Sequence, residues 1–186
     1  MSRGGVGNRR SSSKNACVTM DMELKQFDMR SIKFPRNAKS NGPICIFIGA
    51  RGTGKSKLVH DLLYYHQGIP VGVVISPTDQ LTRDFRPIVP KRLIHDEYDV
   101  GIIKNLFKRQ TKILKAMEYE EKHYGSSNLD ARMVTVMDDC MYDDKWCREV
   151  EMRKMFMNGR HFRVLLLITM QYPLGIPPRS EEHTSE

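Results

Sequence analysis

Between Phe47 and Val59 the chain reads FIGARGTGKSKLV, and Gly49 to Ser56 satisfy the spacing G-x-x-x-x-G-K-[ST]. Nothing else in the sequence constrains the fold as tightly, because this loop works only between a buried strand and the helix that follows it. Both flanks are present. PICIFIG (43–49) is a short, β-rich apolar run ending in glycine, and KSKLVHDLLYYHQ (55–67) places apolar residues at helical spacing. Glycines 49, 52 and 54 let backbone N–H groups turn inward around phosphate oxygens, and the helix adds its positive N-terminal end. In that arrangement Lys55 reaches the β and γ phosphates and the Ser56 hydroxyl ligates Mg²⁺. Gly49, Arg51, Gly52, Thr53, Gly54, Lys55 and Ser56 are thus the expected contacts to a nucleoside triphosphate, ATP, and Ser56 one of its metal ligands. The alternative is a chance glycine-rich turn, and the strand before it and the helix after it argue against that.

The rest of the chain alternates in the same way. VGVVIS (71–76) reads as a second buried strand, which completes a β-α-β unit. SPTDQLTRDFRPIVPKRLIHDEY carries three prolines and reads as an irregular connection. After it Val100, Ile103, Leu106, Phe107, Ile113, Leu114 and Met117 share one face of a long helix that ends near HYGSSNL. MVTVMDD (133–139) is a third strand, KWCREVEMRKMFMNG (145–159) a helix stopped by Asn-Gly, and RVLLLITMQ (163–171) a fourth strand. Short, nearly unbroken apolar strands interleaved with helices predict an α/β fold, with a parallel sheet covered by helices on both faces.

Three further positions complete a hydrolytic site on this reading. Asp138 and Asp139 follow the apolar part of the third strand. Asp138 is expected to hold the Mg²⁺ shell, and Asp139 to orient or deprotonate an attacking water. Gln171 stands directly after LLLIT, at the strand tip where open α/β sheets bind ligands. If its strand lies between those ending at Gly49 and Asp138, Gln171 points at the γ phosphate. Arg160 precedes that strand and so begins at the opposite end of the sheet, roughly 20 Å away at about 3.3 Å per residue. It is placed to serve a neighbouring subunit's γ phosphate as an arginine finger, with Arg163 as the rival and a plain surface arginine as the alternative for either.

Composition narrows the setting. The chain of 186 residues is 40% hydrophobic and 28% charged, the mix of a single globular domain. No apolar run approaches the roughly 20 residues of a membrane span. The net charge of +8 is uneven: residues 1–40 carry nine Lys/Arg against three Asp/Glu, which leaves +2 for the other 146. The N-terminal segment, residues 1–24, is therefore expected to be a basic flexible tail, either solvated or in contact with a polyanion, and it lacks the apolar centre of a secretory signal. Cys17, Cys45, Cys140 and Cys147 form no C-x-x-C pair and are expected to be free thiols.

FIGARGTGKS, MDDCMYDDKW and MNGRHFRVLLLITMQYPLGIPP, in that order, resemble the DNA-packaging ATPases of large nucleocytoplasmic DNA viruses, a branch of the FtsK-HerA pumping ATPases. The resemblance spans roughly residues 25–178, the expected P-loop ATPase core. It implies a RecA-like core with an additional strand between the two nucleotide-binding strands, a homo-oligomeric ring, and ATP hydrolysis that drives double-stranded DNA into a preformed capsid. It also implies capsid or inner-membrane virion proteins as partners and the host cytoplasm or the virion as the location. Arg160 matches the position where the superfamily places its finger. The wider superfamily usually has Glu where this chain has Asp139. The last eight residues, RSEEHTSE (179–186), are the translation of the sequencing adapter AGATCGGAAGAGCACACGTCTGAA and are expected to be an artificial tail on a truncated chain.

Two rival functions share the phosphate loop. A nucleotide or small-molecule kinase would want an arginine-bearing lid and has no need of Asp139, and a nucleotide-gated scaffold would bind ATP without turnover. A GTPase would want D-x-x-G and N-K-x-D, and neither string is present.

Overall fold

The computed structural model describes residues 27–36, 41–140 and 145–172. The basic segment 1–24, the PLGIPP run, the eight C-terminal residues and part of MDDCMYDDKW lie outside the described residues. Five strands form one parallel sheet: β1 (Ile44–Ile48), β2 (Gly72–Ile75), β3 (Ile94–His95), β4 (Met133–Asp138) and β5 (Val164–Met170), in the spatial order β1-β5-β4-β2-β3. β5, the last in sequence among the described residues, is inserted between β1 and β4. That order brings the carboxyl ends of the phosphate-loop strand, the Asp138 strand and the Gln171 strand side by side, with Ile48 opposite Met170 and Asp138 opposite Thr169.

Alternation along the strands divides the core in two. Val73 and Ile75, Met133 and Met137, and Val164, Leu166 and Ile168 face one side, where α3 (Val100–Tyr124) and α5 (Val150–Asn158) cover them. Val74, Val134, Val136, Leu165 and Leu167 face the other, against α1 (Lys55–Tyr65) and Phe34, Phe85 and Val89. Every residue of β4 and β5 is buried, which explains their nearly unbroken apolar sequences, interrupted at Thr135, Asp138 and Thr169. At the sheet edge the cover is uneven. Ile44, Ile46 and Ile48 of β1 stay 37–51% exposed on the α3 and α5 side, beyond the reach of those helices among the described residues.

Three local expectations are corrected. The proline-rich connection after β2 is not wholly irregular: it holds the four-residue helix α2 (Asp79–Thr82) and the two-residue strand β3. Buried Asp79 accepts the backbone N–H of Phe85 at 2.9 Å and lies 3.5 Å from Arg86, so a carboxylate and a buried ring organise a stretch with no periodicity of its own. The helix expected over 145–159 is two helices, α4 (Lys145–Arg148) and α5, separated by extended Glu149 at φ −63°, ψ 137°. In one continuous helix Trp146 would point roughly 120–180° away from Met152 and Met155. The break turns all three into the same core, where each is at most 2% exposed.

The Asn-Gly stop is also displaced. Gly159 keeps right-handed helical geometry and the chain continues as a 3₁₀ turn to Phe162 before Arg163, at φ 55°, ends it. A methyl on Gly159 would come within 3.0 Å of Met155 Sδ, so glycine serves close packing there rather than a left-handed cap. α3 ends as expected, on left-handed Gly125, whose N–H reaches Glu121 O at 3.0 Å. No helix among the described residues is long and apolar enough to cross a membrane.

Candidate nucleotide site

The loop from Gly49 to Gly54 leaves β1 at the carboxyl edge of the sheet and feeds α1. Gly49 N–H is tied to Met170 O at 3.1 Å, which pins the loop to β5 at the outset. Gly52 and Gly54 adopt φ 78° and 86°, left-handed values that a side chain would oppose, and Gly54 caps α1. A Cβ at Gly49 would lie 2.8 Å from Thr53 Oγ1, which itself donates to Ala50 O at 2.8 Å. Thr53 thus shapes the loop from within. Lys55 folds back across it, donating to Gly49 O at 2.8 Å and Ala50 O at 3.0 Å.

Asp138, only 6% exposed, anchors a polar array opposite the loop. Its Oδ1 accepts from Thr169 Oγ1 at 2.7 Å and faces Ser56 Oγ at 3.4 Å, while Oδ2 accepts from Ser76 Oγ at 3.2 Å. Thr169 Oγ1 also accepts the N–H of Asp139 at 3.0 Å, so one hydroxyl bridges the two acids. Gln171 Nε2 donates to both carboxylate oxygens of Asp139 at 3.2 Å. Asp139 sits at φ 51°, a region that Asp and Asn enter more readily than longer side chains, which accounts physically for Asp rather than Glu at this position. Beside the pair, burial and then the charges of Asp138 and Asp139 push the Cys140 thiol up to about 12, so it stays protonated.

These groups line a cavity of about 320 Å³ bounded by Arg51, Gly52, Gly54, Lys55, Ser56 and Lys57 on the loop side and by Thr78, Asp138, Asp139, Thr169 and Gln171 on the strand side. Residues up to 120 positions apart thereby meet at one edge. The donor set fits a magnesium nucleotide: two left-handed glycines and a lysine lining the cavity for phosphate, and a hydroxyl and a carboxylate 3.4 Å apart that could share one hard cation.

Arg160 lies elsewhere. It is exposed in the turn before β5 and lines a larger cavity of about 850 Å³ at the amino ends of the strands, with Arg36, His161 and Arg163. Its rival Arg163 is only 7% exposed and donates to Arg36 O at 2.9 Å, whereas Arg160 is exposed and donates to the neighbouring His161 Nε2 at 3.1 Å, so of the two Arg160 is the one at the surface.

Two site residues escape a reading of the sequence alone, Ser76 and Thr169. Both stand at ends of apolar strands, the signal that singled out Gln171, but nothing local says that their hydroxyls converge on Asp138. Thr169→Val should remove the 2.7 Å bond and strand the Asp139 N–H, at a cost of about 1–3 kcal/mol. Urea unfolding should show that loss, and Thr169→Ser should recover it.

No family model matches the chain. Residues of this chain are 34% identical over 158 positions to uncharacterized protein L437 of Acanthamoeba polyphaga mimivirus, covering 84% of this chain and 54% of that protein. They are 37% identical over 164 positions to uncharacterized protein 075L of Invertebrate iridescent virus 6, covering 86% and 59%. The chain therefore spans little more than half the length of these relatives. Among solved structures it is similar to the pCW3 conjugation coupling protein TcpA bound to ATPγS (TM-score 0.53, 19% identity, 72% of this chain and 44% of that one). It is similar also to the cytoplasmic domain of EssC (TM-score 0.54, 18% identity, 74% and 30%). At that identity the likeness speaks to architecture alone, that of a P-loop NTPase with a RecA-like parallel sheet.

Proposed function

We propose that the chain is the catalytic part of an ATP-hydrolysing motor that moves viral double-stranded DNA into a capsid. The observation that carries hydrolysis is the array in which Thr169 ties Asp138 to Asp139 while Gln171 holds the Asp139 carboxylate, directly across the cavity from Lys55 and Ser56. The DNA and capsid parts rest on the resemblance to packaging ATPases and on the viral origin of the relatives.

In this reading Mg²⁺, when bound, neutralises phosphate charge, and Ser56 and Asp138 hold it. The loop amides from Arg51 to Ser56 cradle the phosphates, and Lys55 exchanges its two backbone carbonyls for phosphate oxygens. Asp139 orients a water and accepts its proton as the water oxygen attacks the γ phosphorus and the bond to ADP breaks. Gln171, within reach of Asp139, aligns the same water or the γ phosphate. Arg160 cannot reach its own site from the far end of β5, so it acts on a neighbour's γ phosphate in a ring.

Phosphate release measured with and without duplex DNA tests the motor: stimulation by DNA is expected, and ATP binding without release would favour a scaffold. Mixing tests the ring. Arg160→Ala and Lys55→Ala chains, each inactive alone, should regain part of the ATPase when combined, because some interfaces pair an intact loop with an intact arginine. No recovery in demonstrably mixed oligomers would count against a finger in trans.

A further inference from the structure

We infer that the solvent face of α3 is a duplex-DNA-binding surface, formed by a stripe of lysines that tracks the phosphate backbone. Lys104, Lys108, Lys112 and Lys115 recur every three or four residues, Lys122 follows two turns later with Tyr119 between, and all are exposed. At 100° per residue they fall within an arc of roughly 80° and extend over about 27 Å, and that arc contains no carboxylate. It lies opposite the face that buries Ile103, Leu106, Phe107 and Gln110, so core packing does not explain it.

None of the five lysines forms an ion pair among the described residues. Yet Lys104, Lys108 and Lys112 stand at successive i,i+4 positions and Lys115 at i+3 from Lys112, where like charges repel and weaken the helix. Glu118, at i+3 from Lys115 and four residues before Lys122, can relieve the repulsion at the carboxyl end of the stripe, but no carboxylate stands three or four residues from Lys104, Lys108 or Lys112. A long anion with regularly spaced charge relieves all of it at once. Duplex DNA, with one negative charge per about 1.7 Å of axis, is the partner of that description that fits the proposed motor. α3 follows β3 and so starts at the carboxyl edge of the sheet, the edge that bears the candidate nucleotide site, and runs back along one face. DNA held there would contact the same rigid body that carries Asp139.

This inference rests on the proposed DNA motor, and its test separates the two. The full chain is titrated onto a labelled duplex over a range of KCl concentrations, and binding of a fluorescent ATP analogue is followed in parallel. Replacing Lys104, Lys108, Lys112 and Lys115 by Gln should weaken DNA binding at low salt by at least about tenfold and flatten the dependence of log K on log salt by about 3.6, since each lost phosphate contact removes about 0.9. The same four positions changed to Arg should keep the slope. Single changes Lys108→Gln and Lys112→Gln, each expected to remove about 0.9, decide the matter if the fourfold variant does not fold.

An unchanged slope, or a slope carried wholly by Arg3, Arg9, Arg10 and Lys14, overturns the inference, and with intact ATP-analogue binding it leaves the nucleotide site standing. Stripe-dependent DNA binding in a chain that does not bind the analogue supports the inference and removes the ATPase reading. Stripe-dependent binding to anionic lipid vesicles with none to DNA overturns it as well.

Discussion

Asp139→Asn should bind ATP as tightly as the unaltered chain and hydrolyse it 10²- to 10⁴-fold more slowly, the usual span for loss of a positioned general base, here about 10³. The substitution suits the backbone. Asn tolerates the left-handed φ of 51° as well as Asp does, its N–H still meets Thr169 Oγ1, and its amide oxygen still accepts from Gln171. What it lacks is a lone pair basic enough to take a proton. Equilibrium binding of an ATP analogue together with single-turnover phosphate release separates the two effects. If binding fails along with turnover, Asp139 is a metal ligand or a folding residue instead.

Lys55→Ala should weaken ATP binding by on the order of 100-fold or more, as expected when two charge-assisted hydrogen bonds of about 1.5–3 kcal/mol each are lost. The fold should tolerate it. Among the described residues Lys55 donates to Gly49 O and Ala50 O, at a part-buried and an exposed site, so water can replace the ammonium at those carbonyls. Thermal unfolding without nucleotide should then be nearly unchanged, while the stabilisation that added ATP confers should disappear. Wild-type affinity in this variant would mean that the phosphates do not sit at this loop.

Local sequence was a good guide to the elements and a partial guide to the site. β1, β2, β4, β5, α1 and α3 follow from apolar runs and helical spacing, signals contained in windows of a few residues. β3 was not legible. It is two residues long, follows closely on Pro87 and Pro90, and exists because Ile94 and His95 pair with Val74 and Ile75. The break at Glu149 was hidden for a related reason. KWCREVEMRKMFMNG has helical propensity throughout, and only the demand that Trp146 enter the same core as Met152 and Met155 forces the chain out of helix between them.

By itself, then, the sequence determined that a phosphate loop stands between strand and helix, that two acids and a glutamine end buried strands, and that the sheet is parallel with helices packed against it. Each of these is written in neighbouring residues. Tertiary structure alone decided which side chains complete the array: that Ser76 and Thr169 turn their hydroxyls on Asp138, that Gln171 meets Asp139 from 32 residues away, and that Arg163 is drawn inward while Arg160 faces out. Those contacts depend on register between strands distant in the chain, and register is set by the summed packing of two buried faces, a quantity that no local window contains.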